Sequence, residues 1–362
     1  MITERERQLL GWIAENPLIS QQELANKAGI TRSSVAVHIS NLMKKGIIQG
    51  KGYILQMNPY VVVVGGVNID IAGIPSQPLV PRDSNPGLVR MSLGGVGRNI
   101  AHNLSLLGVE VKFITAFGED LHAGEIQHSC RELGIDITHS RSVPGAATST
   151  YMFITDAAGD MQLAVSDMGI YSYLTPEYLA GKLEVINNAS ICILDTNIPA
   201  ESIRFLCENA TVPIFADPVS TAKAEKLLPV LGRIHTLKPN MLEASLLSGI
   251  EVTDERSARR AVDVLLQKGV QQVFLSMGSD GVLYGSSRGK RRLPNYPARI
   301  RNTTGAGDSF MAALALAYLN EFSTEKAARC GLAAAAICIE GENTINEKLS
   351  KQAVLQLIQD ND

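Results

Sequence analysis

Leu9, Leu10, Trp12 and Ile13 recur through residues 4–15 at the spacing of one helical face, with charged residues between and around them. Ser20 with Glu23 three places later forms a capping box that opens a second helix, which ends near Ala28, where Gly29 supplies a turn. Thr31 caps a third helix over 32–45, with Val35, Ile39 and Leu42 turned inward. Residues 46–55 read as two short strands about the turn Gly50-Lys51-Gly52. Asn58-Pro59 then interrupts regular structure, so the sequence predicts a small domain at 1–57 and a large one at 58–362.

The large segment has a different rhythm. Short apolar, often β-branched runs at 61–64, 112–116, 190–194, 214–216, 236–238 and 272–276 alternate with helical stretches at 100–107, 123–133, 202–209, 240–248, 257–268 and 307–319. Strands apolar on both faces and separated by helices predict an α/β fold, a mainly parallel sheet with helices on both sides. Residues 148–155 and 161–165, around Asp156-Ala-Ala-Gly159, read instead as a β-hairpin, and 69–75 and 88–92 supply further strands beside it. A small sheet next to an α/β body, in segments near 69–92 and 148–166, is expected to act as a lid over a ligand cleft.

Composition narrows the class. A chain of 362 residues suits two domains at about 150 residues each, one of them enlarged. Hydrophobic residues at 45% and charged residues at 19% exclude a disordered chain. Residues 1–57 carry seven Lys and Arg against four Glu, a net +3, within totals of 33 basic and 36 acidic residues, which leaves the remainder at −6. A small basic head on an acidic body predicts two different partners. The charged start, Met1-Ile-Thr-Glu-Arg-Glu-Arg-Gln8, lacks the apolar core of a signal peptide, and no apolar run reaches the ~20 residues of a membrane span. Five dispersed cysteines (Cys130, Cys192, Cys207, Cys330 and Cys338) without a C-x-x-C pair fit reduced thiols, so a cytoplasmic protein without a membrane partner is expected.

Candidate chemistry concentrates in Asn302-Thr-Thr-Gly-Ala-Gly-Asp-Ser-Phe310. A glycine turn opening a helix aims the backbone N–H groups of Gly305, Ala306, Gly307 and Asp308 at one spot, where the helix adds partial positive charge. That spot fits a phosphoryl group gaining charge during transfer, and Asp308 beside it can take the proton of an attacking hydroxyl. A first-turn carboxylate can also be no more than a cap. A second glycine cluster, Gly94-Gly-Val-Gly-Arg-Asn99, precedes the helix at 100–107; there glycine lets a ligand approach the backbone and Asn99 offers both donor and acceptor.

With Gly108 and Gly118 following at fixed offsets, residues 94–118 resemble the N-terminal signature of the ribokinase-like (PfkB) sugar and nucleoside kinase family, and residues 302–313 resemble its C-terminal signature. Lys238-Pro-Asn-Met-Leu-Glu243 is similar to that family's N-x-x-E motif, and Leu275-Ser-Met-Gly-Ser-Asp-Gly281 to its strand–loop at the nucleotide. The resemblance implies a ribokinase-like fold and an ATP- and Mg²⁺-dependent kinase. Asp308 would be the catalytic base, with Gly305, Ala306 and Gly307 as the anion hole. Asn240 and Glu243 would arrange Mg²⁺ through water, and Ser276, Gly278, Gly281 and Asn343 would line the ATP site. Asn68, Asp70, Gly94, Gly95 and Asn99 would hold the acceptor's hydroxyls, with Asn68 and Asp70 on one face of an extended chain. Lys238 and Arg98 are either phosphate cations or, on the plainer and preferred reading, sheet-end and helix-surface charges, and Asp217-Pro-Val-Ser220 is either part of the nucleotide site or a strand end. Asn302 stands where the family often has Asp, in a loop that helps bind K⁺ in cation-activated members, so the case for a monovalent cation is weakened.

Asp83-Ser-Asn-Pro-Gly87, Gly94–Asn103 and Thr236-Leu-Lys-Pro-Asn240 resemble the branch of bacterial pseudouridine kinases. That resemblance implies a nucleoside acceptor phosphorylated at the ribose 5′-hydroxyl, with Asp83 and Asn85 reading a base edge; on residue types alone, the same segment is equally an Asx-turn closing a loop. A free sugar is the alternative acceptor, and a ligand-sensing regulator with a kinase-like body the alternative function. Loss of Asp308 or of the glycine turn would favour the regulator, and both are present. The head resembles a winged helix-turn-helix, which implies duplex DNA as a partner through Arg32, Ser33, Ser34 and His38 on the third helix and Lys44, Lys45 and Lys51 at its end and on the wing. A lid sheet and a winged helix are both common dimer surfaces, so a homodimer is expected.

Overall fold

A computed structural model describes residues 2–50, 59–156 and 160–361. The chain divides into two compact units, with the sequence passing from one to the other between Pro59 and Tyr60.

The first unit is built on α1 (Glu4–Glu15), α2 (Gln21–Ala28) and α3 (Arg32–Lys44). Thr3 with Glu6 and Ser20 with Glu23 form reciprocal capping boxes, and Gly29 ends α2 in the left-handed conformation at φ +65°. Leu9, Ile13, Leu24, Val35, Ile39, Leu42 and Ile48 make its core. The predicted helices are all present; of the predicted wing, residues 51–55 with Lys51 lie outside the described residues.

The second unit is an α/β body with a small sheet. Its strands are β1 (Tyr60–Val64), β2 (Asn68–Pro75), β3 (Gly87–Gly94), β4 (Glu110–Ile114), β5 (Ala116–Phe117), β6 (Arg141–Ser142), β7 (Thr150–Thr155), β8 (Met161–Asp167), β9 (Ile191–Asp195), β10 (Ile214–Asp217), β11 (Ile234–Leu237), β12 (Gln272–Ser276), β13 (Val282–Ser286) and β14 (Gly289–Leu293). Eight form one sheet in the order β14-β13-β12-β11-β10-β9-β1-β4. The six from β12 to β4 pair in parallel, and β13 and β14 close the edge as antiparallel strands. The β1 sequence Tyr-Val-Val-Val-Val is buried throughout, as a strand covered on both faces must be.

The six predicted strands occur within two residues of their expected places. The antiparallel edge was not anticipated, because Gly285 and the charged run of β14 break the apolar pattern. The helix expected at 100–107 begins earlier: α4 spans Val96–Leu106, so Asn99 lies in its first turn rather than before it. Gly95 makes this entry possible, with φ +96° and no room for a Cβ, which would sit 2.6 Å from the Gly66 carbonyl oxygen. Helix Ala306–Leu319 is apolar almost all round and buried in the core, with helix Thr324–Ile339 against it.

The small sheet has the order β3-β2-β7-β8, joining all four predicted lid segments. Register places Ser92, Asp70, Tyr151 and Ser166 side by side across it, followed by Arg90, Ala72, Phe153 and Ala164 on the same face. The opposite face carries Val89, Met91, Met152, Leu163 and Val165, all exposed. No helix among the described residues is long and apolar enough to cross a membrane, and all five cysteines are free and buried.

Candidate functional site

The glycine turn does what its sequence demands. Gly305 caps helix Ala306–Leu319 at φ +85°, and a Cβ there would collide with the Thr344 carbonyl oxygen. The first i→i−4 bond of this helix runs from Ser309 N–H to Gly305 O, so the amides of Ala306, Gly307 and Asp308 precede the ladder. Ala306 N–H turns back to the Thr303 carbonyl at 3.4 Å, so of the three amides that precede the ladder those of Gly307 and Asp308 are not used in this turn.

Asp308 is buried, and Asn99 Nδ2 donates to its Oδ2 at 2.9 Å. Burial, together with the nearby Asp217, pushes its carboxyl up to about 7; the Asn99 bond and the Lys238 charge oppose the rise. Asn99 Oδ1 is a buried acceptor without a hydrogen-bond partner among the described residues. The two glycine motifs, far apart in sequence, therefore meet at one carboxylate.

Asn68 and Asp70 share a face of β2, where Asn68 Nδ2 donates to Asp70 Oδ1 at 2.5 Å. The pair expected to offer two independent polar groups is thus linked, leaving one oxygen of each for a ligand. Gly94 lies against the Asp70 carboxylate with no space for a side chain. Asp83 and Asn85 are not brought to this place. Asn85 donates to the Val80 and Asp83 carbonyls and accepts from Val80 N–H, and Asp83 accepts from Ser84 N–H. They lie in the loop between β2 and β3, which the bond from Ser76 N–H to the Pro86 carbonyl closes beyond the Pro75 end of β2, and their own hydrogen bonds stay within that loop.

On the other side of the glycine turn is a cavity of about 680 Å³. Of the residues expected around ATP, Asn240, Ser276, Gly278 and Gly281 line it, and so do Ala306 and Gly307 of the glycine turn. Its apolar wall of Tyr296, Ile300, Leu332, Ala336 and Ile339 was missed, because those residues carry no motif and look like ordinary core. Glu243 and Asn343 are not among the lining residues. Asn343 is in an exposed loop, while Glu243 is buried and forms a reciprocal capping box with Asn240 at 2.9 Å in each direction. Two charges assigned to surfaces are instead interior: Arg98 is buried and donates to Ser129, and Lys238 is buried beside Asp217.

In the first unit, Arg32, Ser33 and Lys44 are exposed on α3, and Ser34 and His38 are half-buried. Ser34 shares its hydroxyl with the Thr31 cap at 2.9 Å. Lys45 is exposed but already paired: its ammonium is 2.7 Å from Oε2 of the buried Glu6.

Residues 58–352 match the model of the pfkB family carbohydrate kinases, and residues 2–49 match a winged helix-turn-helix DNA-binding model. The chain is 37% identical to the uncharacterized sugar kinase YeiI of Escherichia coli over 99% of both chains. It is also 37% identical to the pseudouridine kinase of that organism, over 83% of this chain and 96% of the relative. Among solved structures, a putative sugar kinase from Clostridium perfringens superposes with a TM-score of 0.76 at 31% identity, covering 84% of this chain and 97% of that one. Ribokinase of Arabidopsis thaliana, complexed with ribose and ATP, gives a TM-score of 0.74 at 27% identity over 84% and 99%.

Proposed function

Because the chain belongs to the pfkB family of carbohydrate kinases, we propose that it transfers the γ-phosphoryl group of ATP to the ribose 5′-hydroxyl of pseudouridine or a related nucleoside. The observation that carries this reading is the meeting of Asn99 and Asp308 beside the glycine turn. Asp308 takes the hydroxyl proton, and a carboxyl near 7 is poised for that task at neutral pH. Asn99 holds Asp308 and keeps its own Oδ1 for a substrate hydroxyl. The amides of Gly307 and Asp308 receive the charge that develops on the phosphoryl oxygens.

The nucleoside is favoured over a free sugar by the small sheet. Tyr151 is the cross-strand neighbour of Asp70, and its ring lies 5.7 Å from that of Phe153 on the same face. If Asp70 and Asn68 hold the ribose, this pair is an aromatic shelf within reach of a base, and Ala72 and Ala164 leave the second ring uncrowded. It replaces Asp83 and Asn85 as the feature that reads the acceptor.

Residues fit Mg²⁺ bound with the triphosphate rather than a protein cage. No cluster of three ligating side chains occurs among the described residues, and Glu243 and Asn240 supply hard oxygen atoms suited to a hydrated ion. When bound, Mg²⁺ neutralises phosphate charge; Glu243 and Asn240 would hold it through water.

The first unit is proposed to bind duplex DNA through Arg32, Ser33 and Lys44, with His38 at the edge of that face. A second copy of the chain is proposed to cover the aliphatic face of the small sheet at Val89, Met91 and Met152, which gives the homodimer. The test of the kinase reading is a coupled ADP-release screen of pseudouridine, common nucleosides, ribose and hexoses. Turnover of nucleosides above sugars is expected, and a hexose as the best acceptor would overturn the nucleoside assignment.

A further inference from the structure

Arg90 stands on β3, an edge strand of the small sheet, and is exposed. It makes no hydrogen bond and no ion pair among the described residues. The arginines of β14, an edge strand of the large sheet, are both held: Arg291 is 3.2 Å from Glu325, and Arg292 is 3.1 Å from Glu255. Arg90 is thus a guanidinium whose N–H donors are all open to a ligand.

Its place in the sheet gives that ligand a chemistry. Register puts Arg90 opposite Ala72, and Ala72 opposite Phe153. Alternate positions share a face, so this row lies about 7 Å along the strands from the row of Ser92, Asp70 and Tyr151. The Asp70 row, with Asn68 bonded to Asp70, is the proposed seat of the ribose. A base carried by that ribose and stacked on Tyr151 and Phe153 extends into the Arg90 row. There the backbones of Arg90 and Phe153 stand about 10 Å apart, with only the methyl group of Ala72 between them, so a planar ring fits over Ala72 with its outer edge at the guanidinium.

Other polar groups nearby are already engaged or belong to the ribose row. The Tyr151 hydroxyl donates to Met161 Sδ at 3.6 Å, and Gln162 Nε2 donates to Asp156 Oδ2 at 2.8 Å. Ser92 and Ser166 flank Asp70 and Tyr151. What meets the outer edge of the base is therefore a charged fork that can donate but cannot accept.

We propose that Arg90 is a specificity-determining residue that selects bases presenting ring carbonyl oxygens at the outer edge over bases presenting an amino group there. A carbonyl oxygen accepts charge-assisted hydrogen bonds from the guanidinium, whereas an amino group meets it donor to donor. The inference rests on a nucleoside as acceptor, with its ribose at Asn68 and Asp70.

The test measures kcat/KM for two pairs, pseudouridine with pseudoisocytidine and uridine with cytidine, in which an amino group replaces one ring carbonyl, and for free ribose. Wild type, Arg90→Met and Arg90→Lys are compared, with folding followed by thermal unfolding. Wild type is expected to prefer the dicarbonyl member of each pair by roughly tenfold or more. Arg90→Met, which keeps the length of the side chain without its donors, is expected to bring each ratio to within about threefold of unity by lowering the dicarbonyl member. Arg90→Lys is expected to keep part of the preference, because an ammonium donates without the planar fork. If Arg90→Met slows both members of each pair alike, or changes neither, the proposal is overturned and Arg90 is left as a cation that discourages pairing of sheet edges. Nucleosides phosphorylated by wild type without preference within the pairs would overturn the proposal alone. Turnover of ribose but of no nucleoside would overturn the nucleoside reading, and the proposal with it.

Discussion

Asn99 Nδ2 and Asp308 Oδ2 lie 2.9 Å apart although 209 positions separate them in the chain. This bond ties the first turn of α4, entered through Gly95, to the first turn of helix Ala306–Leu319. It also lowers the Asp308 carboxyl against the stronger effect of burial. Asn99→Ala removes a side-chain hydrogen bond that acts downward on that carboxyl, so the acidic limb of the rate profile should move to higher pH. A profile of kcat/KM against pH for the two proteins checks this; an unmoved limb would remove Asn99 from its positioning role.

Asp308→Asn should fold, bind ATP and turn over roughly 10²–10⁴-fold more slowly, as expected for a lost general base. In wild type, activity should rise with pH through about 7, where the carboxyl ionises. Stability has the opposite sign. A carboxyl raised in the folded state binds its proton more tightly than in the unfolded chain, so stability falls as pH rises through about 7. The Asn variant escapes this loss. Thermal unfolding should therefore show it gaining on wild type between about pH 5 and about pH 8, values that bracket that ionisation.

Tyr151→Ala and Phe153→Ala test the aromatic shelf. Base–aromatic stacking contributes about 1–3 kcal/mol, so each should lower kcat/KM for a nucleoside by roughly tenfold or more. Turnover of free ribose, which has no base to stack, should hardly change. Equal losses on both substrates would mean that the pair only supports the sheet.

In the first unit, Arg32→Ala and Lys44→Ala should weaken DNA binding and flatten its dependence on salt, because each cation displaced counterions from the phosphates. Lys45→Met should act on folding instead. The Lys45 hydrogen bond holds the Glu6 carboxyl down at about 2, so this pair stabilises the unit above the ordinary glutamate range and loses its effect as pH falls through about 2. Unfolding at neutral pH separates the two roles, with Lys45→Met melting lower and Arg32→Ala unchanged.

Local sequence was enough for the repeating elements. The β-branched runs of β1, β9 and β12, the Ser20–Glu23 capping box of the first unit and the glycine turn at Gly305 each declare their structure within a few residues. What was not legible depends on tertiary neighbours. Lys238 and Arg98 look like surface charges until Asp217 and Ser129 are packed against them. Lys45 looks like a phosphate contact until Glu6 takes it. The cavity wall at Tyr296, Leu332 and Ile339 reads as core, because apolar side chains facing a cavity and apolar side chains facing each other have the same pattern. Asp83 and Asn85 had the right chemistry for a base, but their hydrogen bonds close their own loop.

The most direct test of the account is the phosphorus NMR spectrum of a reaction containing ATP, Mg²⁺ and equal amounts of pseudouridine and ribose, run with wild type and with Asp308→Asn. Wild type should produce a phosphomonoester on the 5′-carbon of the nucleoside in preference to a sugar phosphate, and Asp308→Asn should produce almost none. Ribose phosphate as the main product would contradict the nucleoside assignment, and undiminished product from Asp308→Asn would contradict the account of the site itself.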